Sequence, residues 1–148
     1  MNPNIPPLVM RGIHTVGDAI TQRLEQEGKV GALSRVGFDT WWNGGMRTAP
    51  YFHNMVGILT ETALWHYATP HDYDPAKLPQ KFRDGATPTD TATTFYPSPW
   101  KGGRWRLRDA VEYMLTASLA TLDIAARKKT DWLYGAYKMG RDALEAGR

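Results

Sequence analysis

The chain has 148 residues, a net charge of +3, 42% hydrophobic residues and 22% charged residues. It is long enough for one domain, or a piece of a larger one, and reads as globular. It contains no cysteine, which excludes disulfides and thiolate metal sites. No apolar run approaches the ~18 residues that a membrane helix needs.

Taken in chain order, Met1 to Gly12 shows no basic segment followed by an apolar one, so no signal peptide is read there. The opening Asn-Pro-Asn-Ile-Pro-Pro reads as a loop entering a helix, an unusual natural start that fits a fragment or a truncated reading frame. A helix is expected over 8–27. Val9, Ile13, Val16, Ile20 and Leu24 recur at helical spacing, Pro6 and Pro7 suit the first turn, and Gly28 suits the C-terminal cap. His14 lies on or beside a face of this helix and reads as structural. A short strand or extended segment is expected at about 30–38, followed by a turn at Asn43-Gly44-Gly45. One helical turn is read over 48–54.

Residues 55–62 read as a second strand, nearly continuously apolar through Leu59, as expected of a strand covered on both faces. Residues 65–106 hold six prolines and little periodicity, which predicts a long loop that is either functional or draped over a larger body. Helices are expected over 107–128, with Val111, Met114, Leu115, Leu122 and Ala125 as its apolar stripe, and over 130–146, capped by Thr130. Trp132, Leu133, Ala136, Tyr137, Gly140 and Leu144 form the inner face of the latter. The cationic run Arg127-Lys128-Lys129 fits a helix end better than a phosphate grip, and no nucleic-acid-binding module is recognised. The expected class is α/β. Two strands are too few for an independent sheet, so the pattern predicts the last part of an α/β domain.

Glu61 is the residue of most chemical interest. A carboxylate at the end of a buried strand is costly unless it is paired or used. It therefore either caps a backbone or pairs with an arginine, or acts as a general base where open α/β sheets place their ligands. Arg47, after the Gly-Gly turn, either grips a substrate carboxylate in fork geometry, partners Glu61, or is a surface arginine. Trp41 and Trp42 read as core or cleft wall. His53 supports the site or is a packed, hydrogen-bonded histidine. His66, His71, Asp72 and Asp74 sit together in a loop and could chelate a metal, against the reading that they are solvated loop residues. No Gly-rich phosphate loop, Gly-x-Ser-x-Gly motif or cysteine nucleophile is present.

The stretch WWNGGMRTAPYFHNMVGILTETA, residues 41–63, resembles the region around the catalytic glutamate of zinc metallocarboxypeptidases of the carboxypeptidase A type, most closely the large bacterial members. The tail RDAVEYMLTASLATLDIAARKKTDWLYGAYKMGRDALE is similar to the helices after the peptidase core. NPNIPPLVMRGIHTVGDAI is similar to the helix after the strand bearing the last zinc ligand. The resemblance covers nearly the whole chain. It implies the C-terminal portion of a carboxypeptidase-like mixed sheet flanked by helices, and hydrolysis of the last residue of a peptide substrate.

In that family zinc is held by a His-x-x-Glu pair and a later histidine, and a glutamate takes the proton of the attacking water. The resemblance makes Glu61 that glutamate and puts Arg47 and Trp42 on the substrate side. Arg47 then lies near the pocket for the terminal side chain, implying acidic or polar ends. This chain has no His-x-x-Glu, and none of its four histidines is matched to the later ligand. No zinc is therefore expected to be bound by this chain alone. Either it is a C-terminal segment, a truncated product or one chain of a split protein, or it is a non-catalytic binding or assembly module derived from the fold. The expected partners are a peptide and either a second copy or the missing N-terminal part of the domain, not nucleic acid or a membrane. A secreted or periplasmic setting suits the family, and the compartment stays open.

Overall fold

The computed structural model describes residues 2–34, 39–63 and 66–148. Three helices carry most of the order: α1 (Pro7–Gln26), α2 (Leu107–Arg127) and α3 (Lys129–Ala146). A two-stranded antiparallel sheet, β1 (His71–Tyr73) with β2 (Gly103–Trp105), completes a mixed α/β composition. Short 3-10 turns occur at Ala49–His53, His66–Ala68 and Pro75–Lys77. The chain divides into two compact units. One comprises Met1–Ala19, Gly37–Thr60 and Ala120–Arg148, and the other Ile20–Val36 and Glu61–Leu119.

Within the first unit, α1 opens with proline, whose fixed φ and missing N–H suit the first helical position. Its apolar stripe turns Val9 inward, to 1% exposure, and Val9 packs with Ile5 and Tyr51 while Met10, Ile13 and Met139 close over them. Two glycines let backbones approach. A Cβ on Gly12 of α1 would lie 2.4 Å from Val56 Cγ2, and one on Gly135 of α3 would lie 3.1 Å from Leu8 Cδ2. The turn Ala49–His53 ends at Asn54, which takes the left-handed conformation (φ 58°). His53 is exposed, and its Nδ1 lies 2.8 Å from the Ala49 carbonyl oxygen of the same turn, a local hydrogen bond.

Residues 55–62 do not form the expected strand. They run on without regular structure, and Met55, Leu59 and Glu61 are exposed. A strand needs a neighbour for its backbone groups, and the described strands pair only with each other. Val56 instead lies against α1, where Gly12 makes room for it. Thr130 is likewise not a cap: α3 starts at Lys129, and the flanking position is Lys128, with no side-chain cap.

Within the second unit, the end of α1 is closed by Gly28 at φ 69°, with Lys29 N–H donating to the Leu24 carbonyl at 2.8 Å. Glu27 accepts from Lys29 Nζ at 2.6 Å and from Thr116 Oγ1 of α2 at 2.7 Å, and Arg23 Nε donates to its other oxygen at 2.6 Å. These bonds hold the Glu27 carboxyl at a pKa of about 2, the Lys29 bond contributing most. Residues 31–34 form no strand either. Gly31 and Ser34 N–H groups donate to Ser98 and Phe95 at 2.8 and 3.0 Å without a continuous ladder. Residues 35–38 of that expected strand lie outside the described residues.

Aromatic contacts order the proline-rich stretch. Tyr73, Trp100, Trp105 and Tyr113 contact edge to face in series, at centroid distances of 5.3, 6.0 and 5.3 Å. Tyr96 is buried and its hydroxyl accepts the Trp100 N–H at 2.9 Å. Gly102 takes φ 86°, and a Cβ there would sit 2.8 Å from the Tyr73 carbonyl oxygen. Only glycine meets both conditions without strain.

Helix α2 inverts the expected arrangement. Its buried face is Ala110, Thr116 and Ala120, while Val111, Met114, Leu115, Leu119 and Leu122 are exposed, Leu122 to 67%. In α3 the buried residue is Gly135, and Leu133, Tyr137 and Leu144 face solvent. Small and hydroxyl side chains permit the close approaches made in this structure. The large apolar side chains are left without contacts that would bury them.

Candidate functional site

The turn after the tryptophan pair is fixed by three interactions. Gly45 N–H donates to the Trp42 carbonyl at 3.1 Å, closing a turn over 42–45. Thr48, fully buried, donates from Oγ1 to the Trp42 carbonyl at 2.9 Å and reaches the Gly45 carbonyl at 3.2 Å. A Cβ on Gly45 would sit 2.3 Å from Trp42 Cε3, so the indole lies directly against the glycine. Trp41 meets Phe52 edge to face at 5.1 Å.

Arg47 is brought to Trp42, its guanidinium carbon 5.9 Å from the ring centroid. Its Nη2 forms an ion pair with Asp39 Oδ1. The guanidinium is thus already paired, so an incoming substrate carboxylate has to compete with Asp39. Arg47 Nε and Tyr51 Oη are buried and, among the described residues, without hydrogen-bond partners. Burial raises the Tyr51 phenol pKa, and the nearby Arg47 charge only partly offsets this. Asp39 and Thr48 were missed in the sequence. Neither stands at a spacing that any local motif marks, because the turn itself creates the contact.

Glu61 lies in the other unit from Arg47 and Trp42. It is exposed, and among the described residues its carboxylate makes no hydrogen bond or ion pair. Two residues on, the backbone is anchored, since Trp105 Nε1 donates to the Ala63 carbonyl at 2.7 Å. The expected capping or pairing role for Glu61 is absent among these residues.

The loop residues read as possible metal ligands each have another engagement. Asp74 accepts from the Ala76 N–H at 3.0 Å, Asp72 pairs with Arg104 at 3.3 Å across the sheet, and the His71 ring meets Tyr73 at 4.4 Å. His66 takes φ 38° at the head of a 3-10 turn. Among the described residues no three His, Asp or Glu side chains are placed to hold a metal ion.

No family model, curated protein or solved structure matches this chain. The functional reading therefore rests on the residues themselves. What they offer is an exposed carboxylate on an anchored backbone in one unit, and in the other an aromatic turn with a charge-compensated arginine.

Proposed function

We propose that this chain is the C-terminal part of a metallocarboxypeptidase-like hydrolase that removes the last residue of a peptide, with Glu61 as general base. The observation that carries the reading is Glu61 itself, exposed, unpaired among the described residues, and followed by a backbone pinned through Trp105. A general base has to be accessible and not already committed to a neighbour. The resemblance of residues 41–63 to the region around the family's catalytic glutamate supports this role. The exposed apolar sides of α2 and α3 fit a fold in which further elements, such as the mixed sheet of such a hydrolase, cover them.

In this role the Glu61 carboxylate takes a proton from the water that attacks the terminal peptide bond. Family chemistry also implies zinc. The described residues do not fit that ion, since no ligand set is assembled among them. The proposal leaves the ligands to another part of the protein, and no step is derived through them.

The test is Glu61→Gln in the protein that contains the metal ligands. Loss of a general base lowers turnover about 10²–10⁴-fold, with metal content unchanged. A variant with near-normal kcat removes Glu61 from the mechanism. The search for a His-x-x-Glu pair encoded upstream of Met1 is an independent check.

A second reading, a non-catalytic assembly module, is favoured by the α2 stripe Val111, Met114, Leu115, Leu119 and Leu122. It expects the 148-residue chain to be soluble, zinc-free and stably dimeric, by sedimentation equilibrium and metal analysis. A monomer argues against it.

A further inference from the structure

We propose that Asn43 is a site of spontaneous deamidation, at which the following glycine attacks the side chain and the Arg47 turn acquires a new carboxylate. The reaction needs a carboxamide free to rotate, a following N–H free to lose its proton, and no side chain on that following residue to block the approach.

The chain has four asparagines, and their surroundings differ in these respects. Asn2 precedes Pro3, which has no N–H. Asn4 precedes Ile5, a buried residue whose N–H donates to the Asn2 carbonyl at 3.3 Å. Asn54 precedes Met55, whose N–H donates to the Pro50 carbonyl at 3.0 Å. Asn43 precedes Gly44, and both are exposed in the turn over 42–45. The turn bond uses the Gly45 N–H. Among the described residues neither the Asn43 carboxamide nor the Gly44 N–H makes a hydrogen bond. Asn43 alone meets all three conditions.

The Asp84-Gly85 pair, which could close the same ring, provides an internal contrast. At Asp84-Gly85 the Gly85 N–H donates to the Phe82 carbonyl at 2.9 Å. The Asp84 carboxylate is held by the N–H groups of Ala86 and Thr87, at 3.0 and 2.9 Å, and by the Thr87 hydroxyl at 2.5 Å. Ring closure there has to break these bonds, so that pair is protected.

At Asn43 a base removes the Gly44 amide proton and the nitrogen attacks Cγ. The new C–N bond closes a five-membered imide. The Cγ–Nδ2 bond breaks, and the nitrogen leaves as ammonia with the proton returned to it. Water then adds to one of the two ring carbonyls and cleaves its C–N bond, restoring an N–H. The product is aspartate or isoaspartate, according to which bond opens, and no oxidant or reductant is involved. Each event lowers the net charge of +3 by one and places a carboxylate four residues before Arg47. The isoaspartate form also inserts a methylene into the backbone of the turn that holds Trp42.

The test is timed incubation of the full chain in mildly alkaline buffer, followed by peptide mass mapping and isoaspartyl methyltransferase labelling. Conversion is expected at the Asn43 peptide, faster at higher pH, with Asn4, Asn54 and Asp84 unchanged. Gly44→Ala is expected to slow it by about tenfold or more, equivalent to ~1.4 kcal/mol of barrier. The added methyl would meet the exposed Trp42 ring at 3.1 Å, a contact the ring can relieve by a small shift. Asn43→Ser is expected to abolish the mass change at this peptide and so confirms the site without altering Gly44. The proposal is overturned if Asn43 stays intact while Asn54 or Asn4 converts, or if Gly44→Ala leaves the Asn43 rate unchanged.

Discussion

Gly12→Ala is the sharpest test of how Val56 lies on α1. In the interior of an exposed helix, alanine is favoured over glycine by about 1 kcal/mol, and by that rule alone the substitution stabilises. Here the added methyl lands 2.4 Å from Val56 Cγ2 and 3.6 Å from Val56 Cβ. Carbon atoms in contact sit at about 3.5–4.0 Å, so roughly 1 Å of movement is required. Val56 cannot supply it easily, because a side chain branched at Cβ has few allowed rotamers. The next residue is pinned as well, since a Cβ on Gly57 would stand 2.5 Å from the Arg47 carbonyl oxygen. Overpacking of this kind costs about 1–3 kcal/mol.

Set against the propensity gain, the expected net loss is about 1 kcal/mol, or ~2–4 °C in Tm for a chain of this size. Urea and thermal unfolding followed by circular dichroism measure it. In a Val56→Ala background Cγ2 is gone, and Gly12→Ala should become stabilising by about 0.5–1 kcal/mol. If Gly12→Ala stabilises the unaltered chain by the full propensity increment, Val56 does not sit on α1 and the placement of this segment is wrong.

Further expectations concern single groups. Glu27 has its folded pKa depressed from 4.5 to about 2 by Lys29, Thr116 and Arg23. Its contribution is therefore fully present above pH 4.5 and lost as pH falls toward 2. Side-chain carboxyl titration by NMR should show the low midpoint, and Lys29→Gln should raise it; a midpoint near 4.5 in the unaltered chain rejects the network. Tyr51→Phe removes a buried hydroxyl that has no partner among the described residues. Stability should be unchanged or rise by about 1 kcal/mol, whereas a loss of 2 kcal/mol or more in urea unfolding would mean that the hydroxyl is bonded after all. Val9→Ala empties space at the centre of the first unit's core, and a loss of about 1–3 kcal/mol is expected in the same assay.

The helices were legible in the sequence because helical periodicity and terminal signals agree. Pro7 opens α1 and Gly28 closes it, and the observed bounds Pro7–Gln26 and Leu107–Arg127 lie within a residue or so of the expected ones. The 55–62 segment was not legible. An apolar run has the same composition whether it pairs in a sheet or lies against a helix, and the deciding contact is Gly12, more than forty residues away. The direction of α2 was obscured for the opposite reason. Its periodicity marks an apolar stripe, but periodicity alone does not say what covers it, and here Ala110 and Thr116 are the buried residues instead. At the candidate site, Trp42 and Arg47 were recognisable from the turn that joins them. The pairing of Arg47 with Asp39 was not, because no repeat or spacing rule links those positions. The small sheet was hidden inside a proline-rich stretch whose order comes from aromatic side chains meeting across long sequence separations.

Those aromatic contacts also give the chain a built-in optical probe. Trp100 and Trp105 lie 6.0 Å apart with their rings inclined at 78°, close enough for their electronic transitions to mix. The second unit should therefore carry a paired-indole signature in circular dichroism that vanishes when either ring is replaced. Trp41 and Trp42 in the first unit are more than half exposed, so quenchers in solution should reach them first. Among the described tryptophans, circular dichroism and quenching thus follow different units, and unfolding of one can be timed against the other without attaching a label.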